Sequence, residues 1–345
     1  MNNAFFTIRR LCFGICIFSL AATMYSCKKN NASAPHANAI SPDSAAGNSV
    51  LTITGSGLAN IQNITFDNGN VPAPFNPEFN TDGAILFRVP DTANGGAQNI
   101  ILTNAAGLST KVSFTVIALA TISSASVNGY TGFEFYGGSQ LTLTGNNLST
   151  VSNVVIDGTT DKATIVSQNK STLVLLMPTS AVTSAKLDIT NSSGTIVTQQ
   201  SFVDIDNAYQ WFAENSYGPG VQDWSWDNSS VATGVSILGT KSLLEKYSAG
   251  SWSALSFHAG SPVTASNYNL YSFWIRGGAV SEQVDISSED GGSTITITVP
   301  PSVWSYYTVP INGFINGVMV NRMDFKMHGP NANDSVYYDE VIFSK

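Results

Sequence analysis

The chain has 345 residues, with 23 acidic against 15 basic side chains and a formal net charge of −8. No basic patch is present, which excludes nucleic acid as a partner, because phosphate binding needs clustered Lys and Arg. Only 11% of the residues are charged while Ser, Thr, Asn and Gly abound, a composition suited to an extracytoplasmic β protein.

The first segment reads as a targeting signal. Arg9 and Arg10 precede an apolar run from Leu11 to Ala22, too short for a comfortable transmembrane helix, and small and polar residues follow up to Cys27. Residues 1–26 are taken as the signal and 27–37 as a polar tether. The end of the signal, Met24-Tyr25-Ser26-Cys27, resembles a bacterial lipoprotein box, which implies that Cys27 is diacylated, begins the mature chain and anchors it to a membrane. Cys12, Cys16 and Cys27 are the only cysteines, so a chain starting at Cys27 has no disulfide and relies on hydrophobic cores. Without Arg9 and Arg10, 13 basic residues stand against 23 acidic ones, a net charge of −10.

Beyond the tether the sequence repeats itself. "SVLTITGSGLANIQNITFD" (49–67) matches "SQLTLTGNNLSTVSNVVID" (139–157) at an offset of 90 residues, with eight of nineteen positions identical, Gly55/Gly145 and Asp67/Asp157 among them. The short alternating runs, such as Leu51 and Ile53 against Thr52 and Thr54, predict half-buried strands punctuated by Gly, Asn and Pro. Two domains follow, at 38–117 and 118–205. Their pattern, "LTITGSGL…ITFD…VP…NIILTNAAGLS…FTV" in the first copy, resembles the IPT/TIG family of immunoglobulin-like domains. That resemblance implies spacers or interaction modules. Neither copy offers a cysteine pair or a plausible carboxylate dyad.

From about Asn207 the composition changes. All six tryptophans and nine of the twelve tyrosines lie in this last stretch. Short strands separated by Gly, Asn, Pro and Ser clusters, with no helical period, predict a jelly-roll β-sandwich over 206–345. The fold class is therefore all-β: two immunoglobulin-like sandwiches in tandem followed by a C-terminal jelly roll.

Because strand side chains alternate faces, apolar parity names the opposite face as well. In "WSALSFH" Leu255 and Phe257 take the core, leaving Trp252 and His258 outward. In "YSFWIR" Tyr271, Phe273 and Ile275 look inward, and Trp274 and Arg276 outward. In "QVDIS" Val284 and Ile286 look inward, and Gln283 and Asp285 outward. Trp304 falls outward in "WSYYTVPI", and Asp324 and Lys326 fall outward in "MDFKMH". A face collecting Trp252, His258, Trp274, Arg276, Gln283 and Asp285 suits a pyranose, whose apolar C–H face lies on indole while its hydroxyls meet polar groups. Trp224 and Trp226, in "VQDWSWDNSS", share one parity and are expected to flank or floor the same site.

The motifs "QDWSW", "GSWSALSFH", "LYSFWIRGG", "SVWSYYTVPI" and "SVYYDEVIF" resemble the jelly-roll carbohydrate-binding domains of secreted bacterial glycoside hydrolases. The whole arrangement is similar to the surface glycan-binding lipoproteins of polysaccharide-importing Gram-negative bacteria. This implies non-catalytic capture of polysaccharide or oligosaccharide, outer-membrane lipid anchoring at the cell surface in preference to the periplasmic face, and an outer-membrane glycan transporter as partner. Lys28, Lys29, Asn30 and Asn31 stand where such proteins often carry an acidic surface-export signal. No cofactor is required on this reading.

Two rivals remain open at this point. A polysaccharide-degrading enzyme needs two carboxyl groups across a cleft, for which Glu282 with Asp285, or Glu289 with Asp290, are the candidates. A structural adhesin would dock a protein on the same aromatic face. Asp339, sharing parity with Val341 and Phe343, is expected to point into the core, where a carboxylate needs hydrogen-bond donors or a cation. The resemblance implies a structural calcium ion there as the alternative to backbone amides.

Overall fold

The computed structural model describes residues 33–250, 252–289, 292–328 and 333–345. The signal, Cys27 and the start of the tether lie outside the described residues, as does Asp290. Among the described residues the architecture is β throughout, relieved only by three 3₁₀ turns, and no helix is long and apolar enough to cross a membrane.

Two compact units divide the chain, one running to Ala93 and including Gln98–Phe114, the other formed by Asn94–Ala97 and Thr115–Lys345. In the first, the antiparallel sheet His36–Ser41, Val50–Ser56 and Ala84–Arg88 is joined by a five-stranded sheet that centres on Gly96–Asn104. Leu51 and Ile53 are fully buried and Thr54 is exposed, the alternation the sequence predicts. The repeated glycine has one cause in both copies. A Cβ on Gly55 would collide with the carbonyl oxygen of His36, and one on Gly145 with that of Thr121, where adjacent strands meet at a register shift.

The second unit contains the second immunoglobulin-like sandwich and the C-terminal sandwich. In the C-terminal sandwich a five-stranded antiparallel sheet runs in the order Gln222–Asp223, Trp252–Thr264, Met319–His328, Glu282–Ser288, Ile295–Val299. It faces a seven-stranded sheet built around the long Asp334–Ser344 strand, which pairs with Tyr209–Ala213, Lys241–Tyr247 and Leu270–Arg276. Between them lie Leu255, Phe257, Tyr271, Phe273, Val284, Ile286, Met323, Phe325 and Phe343, all within 1% of full burial. These are the inward residues that the period of two predicts. The Tyr247 and Tyr338 hydroxyls, 2.6 Å apart, satisfy each other in this core, and Tyr247 also donates to the Phe325 carbonyl.

The outer face of the seven-stranded sheet is covered by the second immunoglobulin-like sandwich. Trp274, Trp304, Ile342, Ile237 and Leu238 form one buried cluster with Phe135, Leu141, Leu187 and Phe202. This joint explains much of the outward aromatic composition of the C-terminal strands.

Candidate glycan-binding face

The stretch from Gln222 to Asp227 continues the edge of the five-stranded sheet. Gln222 and Asp223 pair with His258 and Phe257, and the Trp224 and Trp226 amides donate to the Ser256 and Ala254 carbonyls at 2.9 and 3.2 Å. Strand alternation therefore runs Asp223 in, Trp224 out, Ser225 in, Trp226 out, Asp227 in. Both indoles stand on the outer face of the sheet, 48% and 40% exposed, and Trp252 joins them on the neighbouring strand at 57%.

The partners of Trp224 and Trp226 come from the same face. The Trp224 ring lies flat on the His258 imidazole, with centroids 3.6 Å apart and planes 8° apart. The Arg322 guanidinium carbon is 4.8 Å from the Trp226 ring centroid and the Lys326 Nζ 5.7 Å, both within cation–π range. Register explains the approach. Ala254 and Ser256, small residues opposite Lys326 and Asp324, separate the Trp226 edge from the basic strand. Asp324, fully buried, holds that strand's polar side in place: it accepts from Ser256 Oγ at 2.6 Å and Arg322 Nε at 2.9 Å, and pairs with Lys326 Nζ at 3.2 Å. Glu289 pairs with Arg322 and Lys326 from the far side, at 3.3 and 3.7 Å.

Of the residues expected at the site, Trp224, Trp226, Trp252, His258, Gln283 and Asp285 all fall on this outer face. Gln283 and Asp285 lie two strands away from Trp252, beyond the Met319–His328 strand; Gln283 donates to Thr298 Oγ1 at 2.7 Å and Asp285 accepts from Thr296 Oγ1 at 2.5 Å.

Trp274 and Arg276 do not belong with them. Their strand is in the seven-stranded sheet, so outward there means toward the opposite side of the sandwich. Trp274 is 0% exposed, and its Nε1 donates to Glu134 Oε2 of the second immunoglobulin-like sandwich at 2.9 Å. Arg276 lies 5.6 Å from the Tyr337 ring centroid. Parity gives a face only within one sheet, and two sheets present two outer faces. Sequence reasoning also passed over Arg322, although extending "MDFKMH" by one residue toward the N-terminus puts it on the parity of Asp324 and Lys326.

Asp339 is buried, but on the other side from the one its parity suggests. Glu340 has φ of 45° and inserts an extra residue, so that Tyr338 and Val341 both reach the sandwich core while Asp339 pairs in register with Trp274 at the joint. Its two oxygens accept the Ile237 and Glu340 amides at 2.8 and 3.1 Å. Burial raises its pKa to about 8, the amide bonds opposing. Backbone amides thus engage both of its oxygens, and among the described residues no group of three or more His, Cys, Asp or Glu is placed to hold a metal ion.

The hydrolase candidates do not converge either. Glu282 is opposite Val299, on the core parity, whereas Asp285 is on the outer face. Glu289 is taken up by Arg322 and Lys326.

A family model described as the IPT/TIG domain matches residues 35–116 and 121–203. The chain carries two tandem IPT/TIG domains. No curated protein matches the sequence. Among solved structures, the surface glycan-binding protein PbSGBP-B from Prevotella bryantii is similar over 91% of this chain and 99% of its own, at 13% identity and a TM-score of 0.52. SGBP-B from a complex xyloglucan utilization locus in Bacteroides uniformis aligns over 90% of this chain and 99% of its own, at 16% identity and a TM-score of 0.45. SGBP-B of the Bacteroides ovatus mixed-linkage glucan utilization locus, in complex with a mixed-linkage heptasaccharide, covers 90% of this chain and 75% of its own at 12% identity and a TM-score of 0.31. At such identities the likeness to the Prevotella protein is one of fold alone.

Proposed function

We propose that this chain is a non-catalytic glycan-binding protein of the cell envelope, and that it holds polysaccharide on the outer face of its five-stranded sheet. The observation that carries the reading is that Trp224, Trp226 and Trp252 are exposed together on one sheet face. Exposed indoles in a row are costly in water, and a sugar chain offers each of them a C–H face. His258, Arg322, Lys326, Gln283 and Asp285 beside them supply donors and acceptors for hydroxyls. A similarly folded protein from Prevotella bryantii is a surface glycan-binding protein, which agrees with this reading.

The IPT/TIG domains act as spacers. Diacylated Cys27 anchors the chain in the outer membrane, at the cell surface, where a glycan transporter receives what is captured. The test is affinity electrophoresis of the protein in gels containing xyloglucan, mixed-linkage β-glucan or mannan, with product analysis of the same glycans after incubation. Retardation without product supports a binder, product makes the chain an enzyme, and neither with any glycan favours an adhesin.

A further inference from the structure

On the opposite parity from the indoles the same stretch carries two acids, Asp223, which is exposed, and Asp227, which is half-buried. Asp223 accepts from the Ser225 amide at 2.9 Å and from the Ser229 hydroxyl. Asp227 accepts from the Ser248 amide at 2.9 Å and Ser253 Oγ at 2.6 Å. These bonds tie down the backbone that carries Trp224 and Trp226.

Behind them stands Glu245, on the Lys241–Tyr247 strand, with the core parity of Leu243 and Tyr247. It is 0% exposed, and among the described residues neither carboxyl oxygen has a hydrogen-bond partner. Among the described residues the charges acting on it are Asp227 and Asp223, both negative, and the phenols of Tyr217, Tyr247 and Tyr338 also interact with it. A carboxylate so placed would meet desolvation and like-charge repulsion with nothing to offset either.

We propose that Glu245 is a positioning residue for the aromatic strip: it is kept as a neutral acid, and when it ionises it repels Asp223 and Asp227 and loosens the stretch bearing Trp224 and Trp226. Its effect on glycan binding rests on the function proposed above; its effect on the strip does not. Burial raises its pKa to about 8, with Asp227 and then Asp223 adding to the rise. The sign follows: the strip is held below that pH, where Glu245 carries its proton, and is released above it.

The experiment is hydrogen–deuterium exchange of residues 221–228 in the full chain and in Glu245→Gln, compared at equal pH so that intrinsic exchange cancels. At pH 6.5 the two should match, and at pH 9.5 the wild-type segment should exchange at least about fivefold faster, since each pH unit past the pKa changes the neutral fraction about tenfold. Equal rates at both pH values would overturn the proposal. Asp227→Asn gives a second reading: with one repelling charge removed, Glu245 ionises more readily, and with the Ser248 bond still available to the amide oxygen the transition should move to lower pH; an unmoved transition also overturns it. Xyloglucan affinity measured on the same samples separates the two readings. Faster exchange with unchanged affinity retains the Glu245 mechanism and contradicts the strip as the glycan site, whereas equal exchange contradicts the mechanism whatever the affinity does.

Discussion

Trp274 Nε1 and Glu134 Oε2 are 2.9 Å apart across the joint between the second IPT/TIG domain and the C-terminal sandwich, and Ser272 Oγ donates to the other oxygen of the same carboxyl at 2.9 Å. The indole lies so close to the backbone of Gly132 that a Cβ there would strike its six-membered ring. Trp274 is thus a structural residue, and truncating it removes both its packing and a buried hydrogen bond. Trp274→Ala should cost about 3–5 kcal/mol of fold stability, and Gly132→Ala should also destabilise through overpacking. Urea unfolding checks both. Glycan affinity below the transition should be unchanged.

The same joint governs which fragment folds well. A fragment of residues 207–345 uncovers Trp274, Trp304 and Ile342, whereas residues 118–345 keep them covered. The shorter fragment should bind more of a hydrophobic dye and melt at a lower temperature than the longer one. Equal melts and equal dye binding would show that the joint adds nothing to the sandwich.

Much of this could be read from the chain alone, and the limit has a physical cause. The internal repeat, the alternation at Leu51 and Ile53, and the inward set Leu255, Phe257, Tyr271, Phe273, Val284 and Ile286 all follow from the period of two. Trp252, His258, Gln283 and Asp285 are on the face that parity assigns. Trp274 and Trp304 are also outward, but outward onto another domain, and periodicity within one strand carries no information about which sheet the strand joins. The Glu340 bulge hides in the same way, because an inserted residue reverses parity for everything before it.

Stability should depend on pH through the acids of the joint. Burial raises Glu134 to about 7 and Asp339 to about 8, and raises Glu340 well above the usual carboxylate range. The folded chain therefore holds protons that the unfolded chain releases, so stability falls as pH climbs from the ordinary carboxylate value near 4.5 through about 8. Melting temperatures measured from pH 5 to 8.5 should decline, and Glu134→Gln should flatten part of the slope. A melting temperature rising over this range would contradict the assignment.

Asp324 fixes Arg322 and Lys326, and these in turn lie against Trp226. Asp324→Asn removes the charge while keeping the shape. It should cost about 2 kcal/mol of stability, the scale of hydrogen bonds to charged groups, and should weaken glycan binding by releasing the basic pair. Thermal melts and affinity gels run on the same preparation report both effects.

The central claim is that sugar chains lie on the outer face of the five-stranded sheet. Affinity electrophoresis of the wild type and of Trp224→Ala/Trp252→Ala in gels containing xyloglucan, mixed-linkage β-glucan or mannan tests it most directly. The wild type should be retarded by at least one of these glycans, and the double variant should migrate as it does without glycan while melting within a few degrees of the wild type. Each stacked indole is worth about 1–3 kcal/mol by analogy with aromatic stacking platforms elsewhere. Equal retardation of the two proteins in the same gel would place the glycan elsewhere and contradict the account.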